Sequence, residues 1–72
     1  MQRPRIYTGR MDCRYNRVYV GNTVEYVEDN LTYRGTVKRT PDGEFYIDWG
    51  TEGDWLRRDF EFWMDDGEVY VV

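Results

Sequence analysis

From Val18 onward the chain alternates apolar and polar positions. Val18, Val20, Val24 and Tyr26 share one parity and Tyr19, Thr23 and Glu25 the other, and the alternation stays in step across Gly21-Asn22. A period of two marks strands with one buried and one solvated face. Residues 31–39 are the cleanest case, with Leu31, Tyr33, Gly35 and Val37 alternating with Thr32, Arg34, Thr36 and Lys38. Phe45, Ile47 and Trp49 then point inward in the same way, leaving Tyr46 and Asp48 outward. Turns fall where they should: residues 28–30 (EDN), and 40–43 (TPDG), which sets Pro and Asp at the centre and Gly where a positive φ is wanted. A short strand is expected at Ile6-Tyr7. Residues 50–59 lose the period and read as a loop with a turn of 3₁₀ helix near Trp55-Leu56. FEFWM (60–64) and EVYVV (68–72) read as two strands flanking the hairpin signal Asp66-Gly67.

The pattern therefore predicts an all-β fold of five to six short antiparallel strands and no long helix. Val20, Val24, Tyr26, Tyr33, Val37, Phe45, Ile47, Trp49, Leu56, Phe62 and Val71 form the expected core. Seventy-two residues make one small domain, near the size at which a single core holds without staples. Such a chain hides its strand edges most simply by bending one sheet onto itself. Gly21-Asn22 suits a corner of that bend, and Gly35, midway along an inward parity, suits a second bend or a close backbone approach. The expectation is a small, strongly bent antiparallel barrel of the Src-homology-3-like type, spanning 1–72 with a basic N-terminal arm at about 1–17. A plain antiparallel meander with an incidental glycine is the alternative.

Composition agrees. There is no Ala, Ser or His, Leu occurs only at Leu31 and Leu56, and Val and Thr take the places helix formers would want. Three Trp, seven Tyr and three Phe supply a core dense in rings. The lone Cys13 permits no internal disulfide, and without His the usual thiolate and imidazole zinc sites and nucleophilic pairs are missing. No apolar run approaches the roughly 20 residues of a membrane span and no signal-peptide pattern stands at the start. A cytoplasmic protein without cofactor, metal or membrane is expected.

The segments YTGRMDCRYNRVYVGNTVEY (7–26) and GTVKRTPDGEFYIDW (35–49) resemble the YopX family of phage and prophage proteins. That family's C-terminal part carries a Y-T-G-L-x-D segment, a short polar loop, a Y-x-G-D-x-V-x-Y strand pair and a G-x-V strand. Tyr7-Thr8-Gly9, Asp12, Tyr19, Gly21, Val24, Tyr26, Gly35 and Val37 stand at the matching places, over roughly residues 6–50. Asn22 replaces the family's Asp, the loop is CRYNR where a Lys/Gly-rich turn is usual, and the family's N-terminal segment is missing. The resemblance implies a phage-derived protein with a barrel-like β-domain, and no catalytic residues.

Charge is segregated. Residues 1–20 hold Arg3, Arg5, Arg10, Arg14 and Arg17 against Asp12, whereas residues 41–72 hold ten acids against Arg57 and Arg58, within a net charge of −4. Either the basic segment packs on the acidic half, each damping the other's field, or an acidic surface docks on a basic partner. The carboxylates Asp48, Glu52, Asp54, Asp59, Glu61, Asp65, Asp66 and Glu68 could in principle give a glycosidase-like pair or a cation site. Turn formation and solubility explain them more simply. Cys13 among arginines could have a lowered pKa, yet with no His or second Cys it reads as an ordinary thiol. No enzymatic activity is expected.

Two binding surfaces follow. The first joins the outward residues Tyr46, Asp48, Glu61, Trp63, Glu68 and Tyr70 into an acidic, aromatic face for a host or phage protein, on a monomer or weak homodimer. The second is a nucleic-acid surface of Arg3, Arg5, Arg10, Arg14, Arg17 and Tyr19, with Tyr7 and Tyr15 beside them. If Trp63 is core instead, the first face loses its anchor.

Overall fold

The structure, a computed structural model, describes residues 5–50, 59–65 and 67–72. Arg3, the turn expected near Trp55-Leu56, the core assignment of Leu56, and Asp66 lie outside the described residues. The described elements are β1 (Tyr7–Met11), β2 (Arg17–Tyr19), β3 (Thr23–Glu28), β4 (Leu31–Arg39), β5 (Phe45–Asp48), α1 (Phe60–Asp65) and β6 (Tyr70–Val71).

They form two antiparallel sheets. One pairs β1 with β2, and the other has the order β5-β4-β3-β6. β3 and β4 make a two-residue hairpin, Glu28 opposite Leu31, and Asp29 and Asn30 both take positive φ (52° and 66°). Asp and Asn tolerate that left-handed conformation better than other side chains, and the resulting turn matches the right-handed twist of the strands. β4 and β5 pair from Thr36↔Asp48 to Arg39↔Phe45 around the predicted TPDG turn, where Gly43 (φ 93°) donates to the Thr40 carbonyl at 2.9 Å. The inward and outward parities predicted for β3, β4 and β5 hold, with Val24, Val37, Ile47 and Trp49 buried, except at Leu31, which is 58% exposed at the hairpin end.

Gly21-Asn22 is where the chain passes from one sheet to the other. The Asn22 N–H donates to the Tyr19 carbonyl at 3.1 Å, and Gly21 (φ 96°) supplies the positive φ such a turn demands at its third position. The Asn22 side-chain oxygen accepts from the Tyr19 N–H at 2.9 Å, while Gly21 and Asn22 continue the β3–β4 ladder through Val37. The ladders of the described residues do not close: β5 and β6 are the two edges of the four-stranded sheet, and β1–β2 is a sheet of its own.

Residues 60–65 are helical, which corrects the strand expected there. FEFWM fits both periods: Phe60, Phe62 and Met64 alternate, but Phe60, Trp63 and Met64 also fall at helical spacing. Helix wins because it buries Phe60 and Trp63 together on the sheet and leaves Phe62 42% exposed. Gly67 is not a hairpin glycine either. Its N–H donates to the Phe62 carbonyl at 3.1 Å at the helix C-terminus, and a Cβ there would stand 2.6 Å from Trp63 Cε3. β6 then pairs with β3, Val24 opposite Val71, and not with the segment before it.

The core comprises Val18, Val24, Val37, Ile47, Trp49, Phe60, Trp63 and Val69, with Tyr26, Tyr33, Phe45, Met64 and Val71 packed against it. Of the expected core residues, Val20 is half-buried outside the core and Phe62 is exposed, whereas Trp63, 4% exposed, is not a surface residue. Trp63 lies between Tyr26 and Trp49, its ring centroid 5.1 and 5.3 Å from theirs. Gly35 makes the predicted close approach: a Cβ on it would stand 2.6 Å from Ile47 Cγ2 and 2.9 Å from Trp49 Cε3. No helix among the described residues is long and apolar enough to cross a membrane.

Candidate functional site

The first hairpin is built from side-chain hydrogen bonds to the backbone. Its pairing is irregular: Tyr7 faces Tyr19 and Met11 faces Arg17, so β1 carries extra residues against β2. Gly9 (φ 83°) absorbs that bulge. The Thr8 hydroxyl donates to the Val18 carbonyl at 2.8 Å.

Asp12 organises the loop that follows. One carboxylate oxygen accepts from the N–H groups of Arg14 (2.9 Å) and Asn16 (2.7 Å). The other accepts from the Asn16 amide (3.2 Å) and from the Val71 N–H (2.8 Å) on β6. Cys13 adds a backbone bond to the Val69 carbonyl at 3.2 Å, so the loop lies along the outer edge of β6. Burial alone would raise the Asp12 pKa. The donors at Val71, Asn16 and Arg14 outweigh it and hold the carboxyl below its usual value of 3.8. Thr8, Gly9, Asp12 and Gly21 therefore shape backbone here.

What the hairpin displays is a ladder of two adjacent rings flanked by two cations. Tyr7 and Tyr19 stand opposite each other with ring centroids 5.3 Å apart and planes tilted by 43°. The Arg5 guanidinium covers Tyr19 at 5.4 Å and the Arg17 guanidinium covers Tyr7 at 5.7 Å. Arg5, Tyr7 and Arg17 are exposed and Tyr19 half-buried. Among the described residues no carboxylate pairs with Arg5 or Arg17.

The other two described arginines of the predicted basic surface are drawn away. Arg10, on the opposite parity of β1, binds Glu61 and Asp65 of α1. The basic segment thus does pack on acids of the second half, and its described part from Tyr7 forms a hairpin. Arg14 lies 3.8 Å over the Tyr70 ring. Tyr15, at the loop tip with φ 64°, is 84% exposed and apart from the ladder.

The six residues of the predicted acidic, aromatic face are not brought together. Tyr46, Asp48 and Tyr70 do share the solvent side of the four-stranded sheet, in register with Lys38, Thr36 and Glu25. But β5 and β6 are its opposite edges, three strand spacings or roughly 14 Å apart. Asp48 is engaged by Lys38 at 2.7 Å, which raises the lysine pKa. Glu61 and Trp63 belong to α1, packed on the other side of the sheet. Glu68 and Tyr70 remain neighbours around a shallow hollow of about 330 Å³ lined also by Cys13, Arg14 and Val27.

The Tyr7-Tyr19 juxtaposition was out of reach of pattern reading, because the bulge at Gly9 sets it. The Asp12 hub left a local signal that was missed: an Asp in a polar loop with Asn four positions on is able to accept from the N–H groups two and four positions ahead. Among the described residues no three Cys, Asp or Glu side chains are placed to hold a metal ion. Comparison of the chain with protein-family models, curated proteins and solved structures gives no match.

Proposed function

We propose that this chain is a non-enzymatic binding module that takes nucleic acid on its first hairpin, through Arg5, Tyr19, Tyr7 and Arg17. The observation that carries this reading is the exposed ladder itself, since rings among arginines are what a sugar-phosphate chain with stackable bases requires. The net charge of −4 does not oppose it locally. The acids lie mostly in the second half of the chain, and Arg10 neutralises the two on α1 that stand nearest to the hairpin. A phage or prophage accessory role in a bacterial cytoplasm, as the YopX-like segments imply, belongs to the same proposal. So does an open Src-homology-3-like barrel, supported by the bonds from Asp12 and Cys13 that tie the first hairpin to β6.

Titration with single- and double-stranded oligonucleotides at low and moderate salt tests this reading. Binding should weaken with salt, and Arg5→Glu with Arg17→Glu should remove it, because phosphate contacts release counterions. Silence toward both oligonucleotides at low salt overturns it.

A second reading keeps the protein-binding surface in contracted form. Glu68 and Tyr70 rim the hollow beside Val27, which is 46% exposed. A partner presenting a basic side chain next to an apolar one would fit there, and Glu68→Lys should then weaken its capture.

A further inference from the structure

We infer that the hairpin selects single-stranded over double-stranded nucleic acid, by stacking unpaired bases on Tyr7 and Tyr19 while Arg5 and Arg17 leave the rings for the flanking phosphates. This rests on the nucleic-acid reading of the hairpin and goes beyond it in naming the form of the ligand and the division of labour.

The two cation-ring distances on the hairpin differ from the third among the described residues. Arg14 sits 3.8 Å from the Tyr70 centroid, in van der Waals contact, on a loop held by Asp12. Arg5 and Arg17 stand at 5.4 and 5.7 Å, near the outer limit of about 6 Å at which a cation still feels a ring. A guanidinium held so loosely is displaced by a base at little cost, and a phosphate offers it a stronger, charge-assisted partner. Each tyrosine presents a ring on the sheet surface, Tyr7 being 40% exposed. A base within a duplex has both faces covered by its neighbours, so only an unpaired strand can use these rings. The site is also too small for a duplex groove. It offers two cations among the described residues, and two rings 5.3 Å apart at their centroids.

Two phosphate contacts set the salt dependence. For single strands the logarithm of the binding constant should fall against that of the salt concentration with a slope of roughly −1.4, and Arg5→Ala or Arg17→Ala should each flatten it by about 0.7.

The deciding experiment compares three probes on the 72-residue chain by fluorescence anisotropy: a labelled oligothymidylate, an abasic strand of equal length, and a duplex. The thymidylate strand should bind about ten-fold or more tighter than either of the others. Tyr7→Leu and Tyr19→Leu should each bring its affinity toward that of the abasic strand, while Tyr7→Phe, which keeps the ring, leaves it within about two-fold. Should a leucine variant fail to fold, the three probes on the unaltered chain still decide the matter. If the abasic strand binds as well as thymidylate, stacking is overturned while the nucleic-acid reading stands. Equal or tighter binding of the duplex overturns the selectivity in the same way. Absence of binding to all three probes removes the underlying reading as well.

Discussion

Asp12 holds a charge at 5% exposure with four donors around it, joining a loop to a strand 59 residues away in sequence. Asn at this position keeps one acceptor oxygen but sets an NH₂ group against N–H donors. Asp12→Asn should therefore cost about 1.5–3 kcal/mol in urea unfolding near neutral pH. The carboxyl's pKa is depressed in the folded chain, so its contribution is complete above the unfolded value near 3.8 and is lost as pH falls through the lower folded value. Wild type and Asp12→Asn should accordingly converge in stability as the pH is taken below roughly 3.8, and a gap that stays constant would contradict the ionised hub. Gly35 makes the opposite kind of demand, for space. Gly35→Ala would drive a methyl into Ile47 Cγ2, Trp49 Cε3 and the Asp48 carbonyl, at 2.6, 2.9 and 3.1 Å. Two of those neighbours are core and the third is backbone, so the substitution should cost about 1–3 kcal/mol, read from the shift in denaturant midpoint.

At the level of elements, α1 matters most. Six residues are too few to hold a helix by propensity, so packing of Phe60 and Trp63 must hold it. Trp63→Ala should cost about 3–5 kcal/mol, a large share of the stability of so small a domain. Phe62→Ala, next to it on the exposed side, should cost about 1 kcal/mol or less. Thermal unfolding of the two variants separates helix from strand, since a strand would reverse their order. Trp63→Phe should recover much of the loss: it keeps a ring and removes an indole N–H that, like that of Trp49, is buried without a hydrogen-bond partner.

Across the whole molecule, Arg10 is the described link between the basic first hairpin and the acidic helix. Both carboxylates are more than half exposed, at 62% and 58%, so solvent and salt screen the pairs strongly. Arg10→Met should cost about 1 kcal/mol or less at low salt and nearly nothing at about 1 M salt, because screening removes what the substitution removes. A large, salt-independent loss would show that Arg10 acts through packing of its stem. The segregation of charge along the sequence is thus partly repaired in space, whereas Arg5 and Arg17 pair with no carboxylate among the described residues.

The strands from Val18 to Trp49 were legible because alternation is a backbone property. Once a residue is extended its neighbours must face opposite ways, so the parity of Val24, Val37, Ile47 and Trp49 follows from their spacing alone. The turns at Asp29-Asn30 and Gly43, and the close approach at Gly35, were legible for the same local reason, since few residue types meet those backbone or space requirements. What lay beyond the sequence was each choice settled by partners distant along the chain. FEFWM suits either period, and only the room over Tyr26, Trp49 and Gly67 makes helix the better burial. Arg10 finds its acids 51 and 55 positions away, so no local pattern separates it from Arg5 and Arg17. Tertiary structure alone decided that Trp63 faces inward and that two arginines and two tyrosines stack on one hairpin. Side-chain partners depend on which surfaces meet, and local spacing carries no record of that.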